Sequence, residues 1–311
     1  MRGITLTLAM TIVSTLALPR LLESAEGEIV PTFDAIADTA FLLFTRRNPT
    51  NSQLLHISDM NVIRNSFFDS GRPTRFLIHG MFGNRNSALN TIVQPALLQA
   101  GDFNVIVVDW GEGALTNVMV NARFVGAALA YFLDNLQNAG LMNFNQLTLI
   151  GHSMGAHISG FAGKKIRGRI NTIIGLDAAD VGDINDPSTR IDAGDAEYVE
   201  LIQTEIVFWG IPAPIGHANF YPAGGTSQPN CGGSQVCDHM IAIDYFAESL
   251  STPNRFYAQR CLNMDQMRAN ACPSSSTDYL MGGSTSNQNR NLRGIFRLPV
   301  NAQRPFAVGR V

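Results

Sequence analysis

The chain has 311 residues, of which 45% are hydrophobic and 15% are charged, and its formal net charge is −3. This length and apolar content suffice for one large α/β domain and leave little for a second independent one. Lysines and arginines are scattered without a basic stripe, which argues against a protein that follows the phosphate backbone of a nucleic acid.

The N-terminus begins with Met1-Arg2 and continues as an apolar segment to Leu18. Such a segment is short for a membrane span and is typical of a secretory signal peptide. Small residues favour cleavage after Ala17, with a second candidate site as late as residue 25, and an uncleaved signal anchor is the alternative. We therefore expect a secreted, extracellular protein with a signal peptide at residues 1–17.

Beyond this leader, apolar runs with strand character alternate with a helix. The predicted strands are residues 40–44, 74–78, 104–108, 146–150, 169–176, 198–202 and 294–298. Apolar residues at helical spacing between Val118 and Leu136 predict an amphipathic crossover helix. This pattern predicts an α/β fold with a mostly parallel central sheet and helices on both faces. The segment from Pro273 to Asn291 is rich in Ser, Asn and Gly and is predicted to be a surface loop.

The strand at 146–150 runs into Gly151-His152-Ser153-Met154-Gly155, which has the Gly-x-Ser-x-Gly pattern of a nucleophile elbow. The turn in this motif is so tight that side chains at the glycines would collide with neighbouring backbone. The unpaired N–H groups of the helix that begins after Ser153 would stabilise an oxyanion formed beside it. A chance match is the alternative, and the preceding apolar strand disfavours it.

A serine hydroxyl needs a base within hydrogen-bond reach and an acid that orients the base. The chain order Ser, Asp, His makes Asp177 the predicted acid, because it follows the next buried strand, although an aspartate there also forms ordinary turns. The histidines after Asp177 are His217 and His239. We favour His239 as the base because it follows Cys237 and opens a predicted helix over 240–250. For His217 we expect one structural hydrogen bond.

Four cysteines lie in the C-terminal third of the chain, and secretion permits disulfides. Of the three pairings, we favour Cys231–Cys237 and Cys261–Cys272, because each closes one local loop. A zinc site is the rival interpretation, but the spacings do not match paired zinc-knuckle motifs.

Several motifs together resemble the catalytic domain of the pancreatic lipase family. In chain order they are His79-Gly80-Met81-Phe82-Gly83, Val107-Val108-Asp109-Trp110, Gly151-His152-Ser153-Met154-Gly155-Ala156-His157, Gly175-Leu176-Asp177, Gly216–Pro222 and Cys237-Asp238-His239. The resemblance covers residues 30–310, and its closing segment, residues 294–300, is similar to that of insect phospholipase A1 members. It implies a single α/β-hydrolase domain at residues 30–311, without a C-terminal β-sandwich domain.

The resemblance also implies roles for individual residues. Ser153 resembles the nucleophile, Asp177 the acid and His239 the base of the family. The backbone N–H groups of Met81 and Met154 resemble its oxyanion hole. No cofactor is required by such a mechanism.

The family's calcium loop resembles the turn from Arg190 to Asp195. Here the Arg190 carbonyl and the carboxylates of Asp192 and Asp195 would supply hard oxygen ligands to a structural calcium ion. A solvated acidic loop is the alternative.

Two short segments bear on the substrate. Cys231 and Cys237 enclose only five residues, where triglyceride lipases of this family carry an amphipathic lid, so we expect an open acyl groove and weak interfacial activation. The segment from Gln203 to His217 is also short, although it keeps apolar residues for acyl or membrane contact. Both shortenings occur in the phospholipase A1 branch.

We therefore predict a carboxylic ester hydrolase that acts on glycerolipids, with phospholipase A1-type cleavage of the sn-1 ester. Its partner would be lipid at a membrane or lipoprotein surface, without nucleic acid and without colipase. One alternative is a triglyceride or galactolipid lipase. The other is a non-catalytic lipid-binding or yolk-type protein of the same fold, because Ala178 and Gln203 stand where the family commonly has proline and histidine.

Overall fold

The computed structural model of the chain describes residues 33–251, 253–273 and 279–310. The predicted signal peptide at residues 1–17 lies outside these residues. From Asp34 onward the chain clusters into one unit. No helix of the described ranges is long and apolar enough to cross a membrane.

The centre of the fold is an 11-stranded sheet. Its strands are β1 (Ala40–Phe44), β2 (Gln53–Leu55), β3 (Thr74–Ile78), β4 (Asn104–Asp109), β5 (Leu147–His152), β6 (Ile170–Leu176), β7 (Ala196–Ile202), β8 (Ala218–Pro222), β9 (Tyr257–Cys261), β10 (Tyr279–Leu280) and β11 (Gly294–Leu298). Their order across the sheet is β10-β9-β11-β8-β7-β6-β5-β3-β4-β1-β2.

The central strands from β11 to β4 pair in parallel. The strands β1, β2, β9 and β10 add antiparallel pairs at the two edges. The predicted mostly parallel sheet is therefore confirmed. Because β6, β5 and β3 are parallel neighbours, the residues that follow them meet at one edge of the sheet. These residues are Asp177, Ser153 and His79.

Helices cover both faces of the sheet. They are α1 (Met60–Arg64), α2 (Gln94–Ala100, preceded by a π-helical turn at Leu89–Val93), α3 (Val118–Asn138), α4 (Met154–Lys165), α5 (Gln235–Ser249) and α6 (Met264–Arg268).

Two adjacent residues of β3 show that the helices form separate layers. Phe76 packs against Phe132 of α3, with ring centroids 6.2 Å apart. Leu77 belongs to a cluster with Leu97 of α2 and Phe246 of α5. Successive strand residues face opposite sides, so α3 lies on one face and α2 with α5 on the other. Full burial of a side chain such as Phe132 stabilises the fold by about 1.5–3 kcal/mol. The arrangement is the α/β-hydrolase fold that the sequence predicts.

Helix α5 begins earlier than the predicted 240–250 helix. The Ser234 hydroxyl accepts the Cys237 N–H at 3.3 Å and caps the helix at Gln235. His239 therefore lies in the second turn of α5 instead of opening the helix.

The predicted surface loop from Pro273 to Asn291 is partly wrong. Its described part contains β10 and a buried asparagine, Asn287, whose amide donates to Glu200 Oε2 at 2.9 Å. A two-residue strand is too short to show a period in the sequence, and the partner of Asn287 lies 87 residues away. The segment is thus pinned to β7 by a contact that local composition does not reveal.

Candidate active site

Ser153 occupies a strained turn between β5 and α4. Its backbone has φ 55° and ψ −120°, a conformation that costs a residue with a side chain about 1–3 kcal/mol. A Cβ on Gly151 would lie 2.2 Å from the Gly155 oxygen, and a Cβ on Gly155 would lie 1.9 Å from the Ile78 oxygen. The Ser153 N–H donates to the Leu176 carbonyl at 3.0 Å. Glycines on both sides thus allow the turn, which holds the serine at the tip of β5.

Asp177 follows β6 with its carboxylate buried. Its Oδ1 accepts the N–H groups of Thr204 at 2.6 Å and Glu205 at 2.9 Å. Its Oδ2 lies 2.6 Å from His239 Nδ1. Burial raises the pKa of Asp177, and the hydrogen bond from His239 offsets part of that rise. Because both oxygens are held, the carboxylate fixes the orientation of the His239 ring.

His239 lies between two aromatic rings. Its ring centroid is 4.7 Å from that of His152 and 6.2 Å from that of Trp209. Burial lowers the pKa of His152 to about 3, so His152 is neutral near pH 7 and adds no positive charge beside His239. Since Nδ1 of His239 donates to Asp177, Nε2 is the nitrogen available to a nucleophile.

Ser153 and His239 line the same cavity, which has a volume of about 280 Å³. The segment 80–83, Leu89 and Ile243 contribute to its wall. Ser153 Oγ has no hydrogen-bond partner among the described residues. In proteins without bound substrate, hydrogen bonds between catalytic groups are commonly long and tighten when substrate binds. The structure thus places the predicted nucleophile and base on one cavity and joins the predicted acid to the base by a hydrogen bond.

Met154 directly follows Ser153 in the chain, and Met81 lines the cavity that Ser153 also lines. Met154 is the first residue of α4, where N–H groups lack partners within the helix. Met81 follows Gly80, on which a Cβ would lie 2.8 Å from the Ser153 Cβ. Both N–H groups are without an acceptor in the described chain, as the predicted oxyanion hole requires.

Two further histidines make structural hydrogen bonds. His217 Nδ1 accepts the Val199 N–H at 3.0 Å, which ties the start of β8 to β7. His157 Nε2 lies 2.8 Å from the Ala179 carbonyl oxygen. Neither ring lines the cavity of Ser153 and His239.

The turn with the predicted calcium ligands is occupied by contacts within the chain. Asp195 Oδ1 pairs with the Lys164 ammonium, and Asp192 Oδ2 lies 3.0 Å from Arg190 Nη1. The remaining carboxylate oxygens accept backbone N–H groups in a capping box. The described ranges contain no group of three His, Cys, Asp or Glu side chains arranged for a metal ion. In this arrangement the side chains do not fit a calcium ion.

The cysteines form the two short-range disulfides that the sequence favours, Cys231–Cys237 and Cys261–Cys272. The first has a Cα–Cα distance of 5.4 Å and closes the segment immediately before His239. The predicted lid stub between its cysteines is exposed and leads directly into α5.

Two residues near the site, Glu205 and Gln203, have roles that the sequence did not reveal. Glu205 accepts the N–H groups of residues 207–209 at 2.7–3.2 Å. These contacts hold Trp209 beside His239. Gln203, noted only as a departure from the family, accepts the Ala178 N–H at 2.9 Å and donates to the Ile211 carbonyl at 2.7 Å. The segment has no periodicity that could have predicted these contacts.

Comparisons with known proteins show the family of the chain. The family model described as Lipase matches residues 24–306. Pancreatic lipase-related protein 2 of Sus scrofa is 31% identical over 259 residues, covering 74% of this chain and 55% of that protein. Pancreatic triacylglycerol lipase of Oryctolagus cuniculus is 32% identical over 295 residues, covering 86% of this chain and 63% of that protein. Inactive pancreatic lipase-related protein 1 of Homo sapiens is 33% identical over 273 residues, covering 79% and 58%. The chain thus spans little more than half the length of these relatives.

Proposed function

The chain belongs to the lipase family, and from this premise we propose that it is a carboxylic ester hydrolase acting on glycerolipids through Ser153, His239 and Asp177. The observation that carries the proposal is the 2.6 Å hydrogen bond between Asp177 and His239 at the cavity that also contains Ser153. This arrangement supplies an oriented base beside a serine at a strand tip.

The proposed reaction has two steps. His239 Nε2 takes the proton of Ser153 as Oγ attacks the ester carbonyl, and the N–H groups of Met81 and Met154 stabilise the tetrahedral oxyanion. His239 then gives the proton to the leaving alcohol, which leaves an acyl group on Ser153. A water molecule that His239 deprotonates releases the fatty acid and restores the serine.

For the substrate, we propose a phospholipid cleaved at the sn-1 ester. The stub Gly232–Val236 is exposed and has one large apolar side chain, Val236, so it does not supply an amphipathic cover for the cavity. Val207, Phe208 and Trp209 are exposed, and the Trp209 ring lies 6.2 Å from that of His239. We propose that these side chains contact acyl chains or a lipid surface. An uncovered cavity beside an apolar surface suits a polar lipid presented by a membrane.

We further propose that the protein works outside the cell and needs no metal ion. The two disulfides support the first statement, because such bonds persist in oxidising compartments. The second is supported by the pairing of Asp195 with Lys164 and of Asp192 with Arg190.

Ser153→Ala tests the proposed role of Ser153 as the nucleophile. We expect loss of measurable hydrolysis of a soluble ester, loss of labelling by a serine-reactive phosphonate, and an unchanged fold. Ser52→Ala, at an exposed position, is the matched control and should behave as the wild-type protein. A wild-type protein that binds phospholipid vesicles but is neither labelled nor active would instead support the lipid-carrier alternative.

The substrate is tested with phosphatidylcholine vesicles, galactolipid vesicles and a triglyceride emulsion assayed in parallel. We expect release of the sn-1 fatty acid from phosphatidylcholine. Short-chain forms of the phospholipid and of the triglyceride, titrated through their solubility limits, should show no jump in rate. Turnover confined to triglyceride, with such a jump, would contradict the phospholipase A1 proposal while leaving the ester hydrolase proposal in place.

A further inference from the structure

We propose that His79 is a positioning residue that aims the Met81 N–H at the oxyanion through the Gly80 carbonyl. The inference rests on the proposed function, because it concerns the donor that would stabilise the tetrahedral intermediate at Ser153. His79 follows β3 and is almost completely buried. It belongs to the motif His79-Gly80-Met81-Phe82-Gly83, in which the sequence predicts a role only for the Met81 N–H.

One peptide plane links His79 to the Met81 N–H. The Gly80 carbonyl and the Met81 N–H belong to the same peptide unit, which is trans, so they point in opposite directions. His79 Nδ1 lies 2.9 Å from the Gly80 oxygen, and the Gly83 N–H donates to the same oxygen at 3.2 Å. Two donors therefore hold the carbonyl on one side. The Met81 N–H is held on the other side.

The tautomer of His79 is set by its neighbours. Nδ1 faces the Gly80 carbonyl oxygen and must carry the proton. Nε2 accepts the backbone N–H of Trp110 at 3.2 Å. Asp109 Oδ1 is farther from Nε2, at 3.7 Å, and the other oxygen of Asp109 pairs with Arg85 at 2.7 Å. The Trp110 indole stacks on the ring, 5.5 Å between centroids, and donates to the His79 carbonyl at 2.9 Å. The ring therefore presents a fixed donor to Gly80.

Crowding around the contact between His79 and Gly80 explains why residue 83 is glycine. A Cβ on Gly83 would lie 2.5 Å from His79 Nδ1 and 3.0 Å from the Gly80 oxygen. Phe82 has a φ of 60° and its N–H donates to the Ala114 carbonyl at 3.0 Å. The N–H groups of Phe82 and Gly83, which follow Met81, are therefore both held by hydrogen bonds. The Met81 N–H itself has no acceptor in the described chain.

Two substitutions of His79 separate its two hydrogen bonds. In His79→Asn the side-chain NH₂ can take the place of Nδ1 and still donate to Gly80. In His79→Gln the amide reaches the place of Nε2, so the contact with Trp110 is kept and the donor to Gly80 is lost. We expect kcat for a soluble ester to fall roughly 10²-fold in the Gln variant, as when an oxyanion donor is lost. The kcat of the Asn variant should fall by no more than about fivefold, which corresponds to the net free energy of one neutral hydrogen bond.

Further readouts distinguish positioning from general stability. In His79→Gln the KM should be unchanged, and a boronic acid that forms a tetrahedral adduct on Ser153 should bind weaker by the same factor as kcat. Gly83→Ala displaces the same contact and should show the same pattern. His56→Gln, at an exposed histidine, is the matched control. Rates are normalised to the folded fraction from thermal unfolding.

The outcomes distinguish failure of the positioning role of His79 from failure of the proposed ester hydrolase function. An Asn variant as impaired as the Gln variant, or a Gln variant with wild-type kcat, overturns the role of His79. If neither His79 variant folds, Gly83→Ala decides, and wild-type kcat in that variant overturns the proposal. A wild-type protein without Ser153-dependent turnover overturns the proposed function, and the positioning role with it.

Discussion

Replacing Asp177 by asparagine should remove the base function of His239 and leave the fold in place. The Asp177 Oδ1 accepts two backbone N–H groups, from Thr204 and Glu205, at 2.6 Å and 2.9 Å. The amide oxygen of the variant must therefore stay on that side, and its NH₂ group then faces His239 Nδ1. Because Nδ1 can only accept from an NH₂ group, the imidazole proton moves to Nε2. Nε2 is the nitrogen that has to take the serine proton.

The size of the effect follows from the tautomer. In serine proteases with the same Asp–His arrangement, the wrong tautomer lowers kcat by about 10⁴. We expect a loss of that order for Asp177→Asn, which equals about 5 kcal/mol of transition-state stabilisation. The two side chains have nearly the same shape, and burial already raises the pKa of Asp177, so removing its charge should change the free energy of unfolding by less than about 2 kcal/mol.

The assay is hydrolysis of a water-soluble p-nitrophenyl ester, with thermal unfolding of the same samples. Asp180→Asn, at an exposed position three residues along the chain, is the matched control and should keep full activity. A folded Asp177→Asn variant that retained kcat within about tenfold of the wild-type value would refute the assigned role of the carboxylate.

Four other substitutions or treatments test separate parts of the structure. Ser153→Gly should be more stable than Ser153→Ala by about 1 kcal/mol in urea unfolding, because glycine adopts φ 55° without strain. Gly155→Ala should lower the free energy of unfolding by at least about 3 kcal/mol through its clash with the β3 carbonyl, whereas Gly194→Ala, with 3.4 Å to its nearest neighbour, should not. Burial raises the pKa of Glu200 from 4.5 to about 7, so the folded state holds this proton more tightly than the unfolded chain. The free energy of unfolding of the wild-type protein should therefore fall by about 3 kcal/mol as the pH rises from 4.5 to about 7. Glu200→Gln should remove that part of the pH dependence of unfolding. Finally, EDTA should leave esterase activity unchanged because Asp195 is paired with Lys164; a fall restored by calcium would contradict this expectation.

The sequence predicts best those features that are local. The elbow around Ser153 is readable because its strand, glycines and helix are contiguous. Asp177 is readable because it directly follows the next apolar strand. In both cases the parallel sheet brings the strand ends together without any further information from the chain.

Features that depend on distant contacts could not be predicted. The carboxylate of Glu205 holds residues 207–209 by three consecutive N–H groups, yet an isolated glutamate in an irregular segment shows no pattern. Glu200 and Asn287 are hydrogen-bonded although they lie 87 residues apart in the chain. The polar composition of 273–291 therefore predicted a surface loop and did not indicate that Asn287 is buried against β7. Tertiary contacts decided these cases, and local propensity carried no signal of them.

Backbone strain offers the strongest physical argument between the hydrolase and the lipid-carrier alternatives. Phe82, Ser153 and Asp177 have φ values of 60°, 55° and 43°, although none is glycine. Each is held by its own N–H, which donates to a carbonyl of a neighbouring segment at 3.0, 3.0 and 2.8 Å respectively. At about 1–3 kcal/mol each, these conformations together cost a sizeable part of the 5–15 kcal/mol by which domains of this kind are stable. A carrier binds lipid through apolar surface and gains nothing from such strain. A hydrolase of the proposed kind uses it, because the three residues then bring the proposed oxyanion donor loop, nucleophile and acid together at one edge of the sheet.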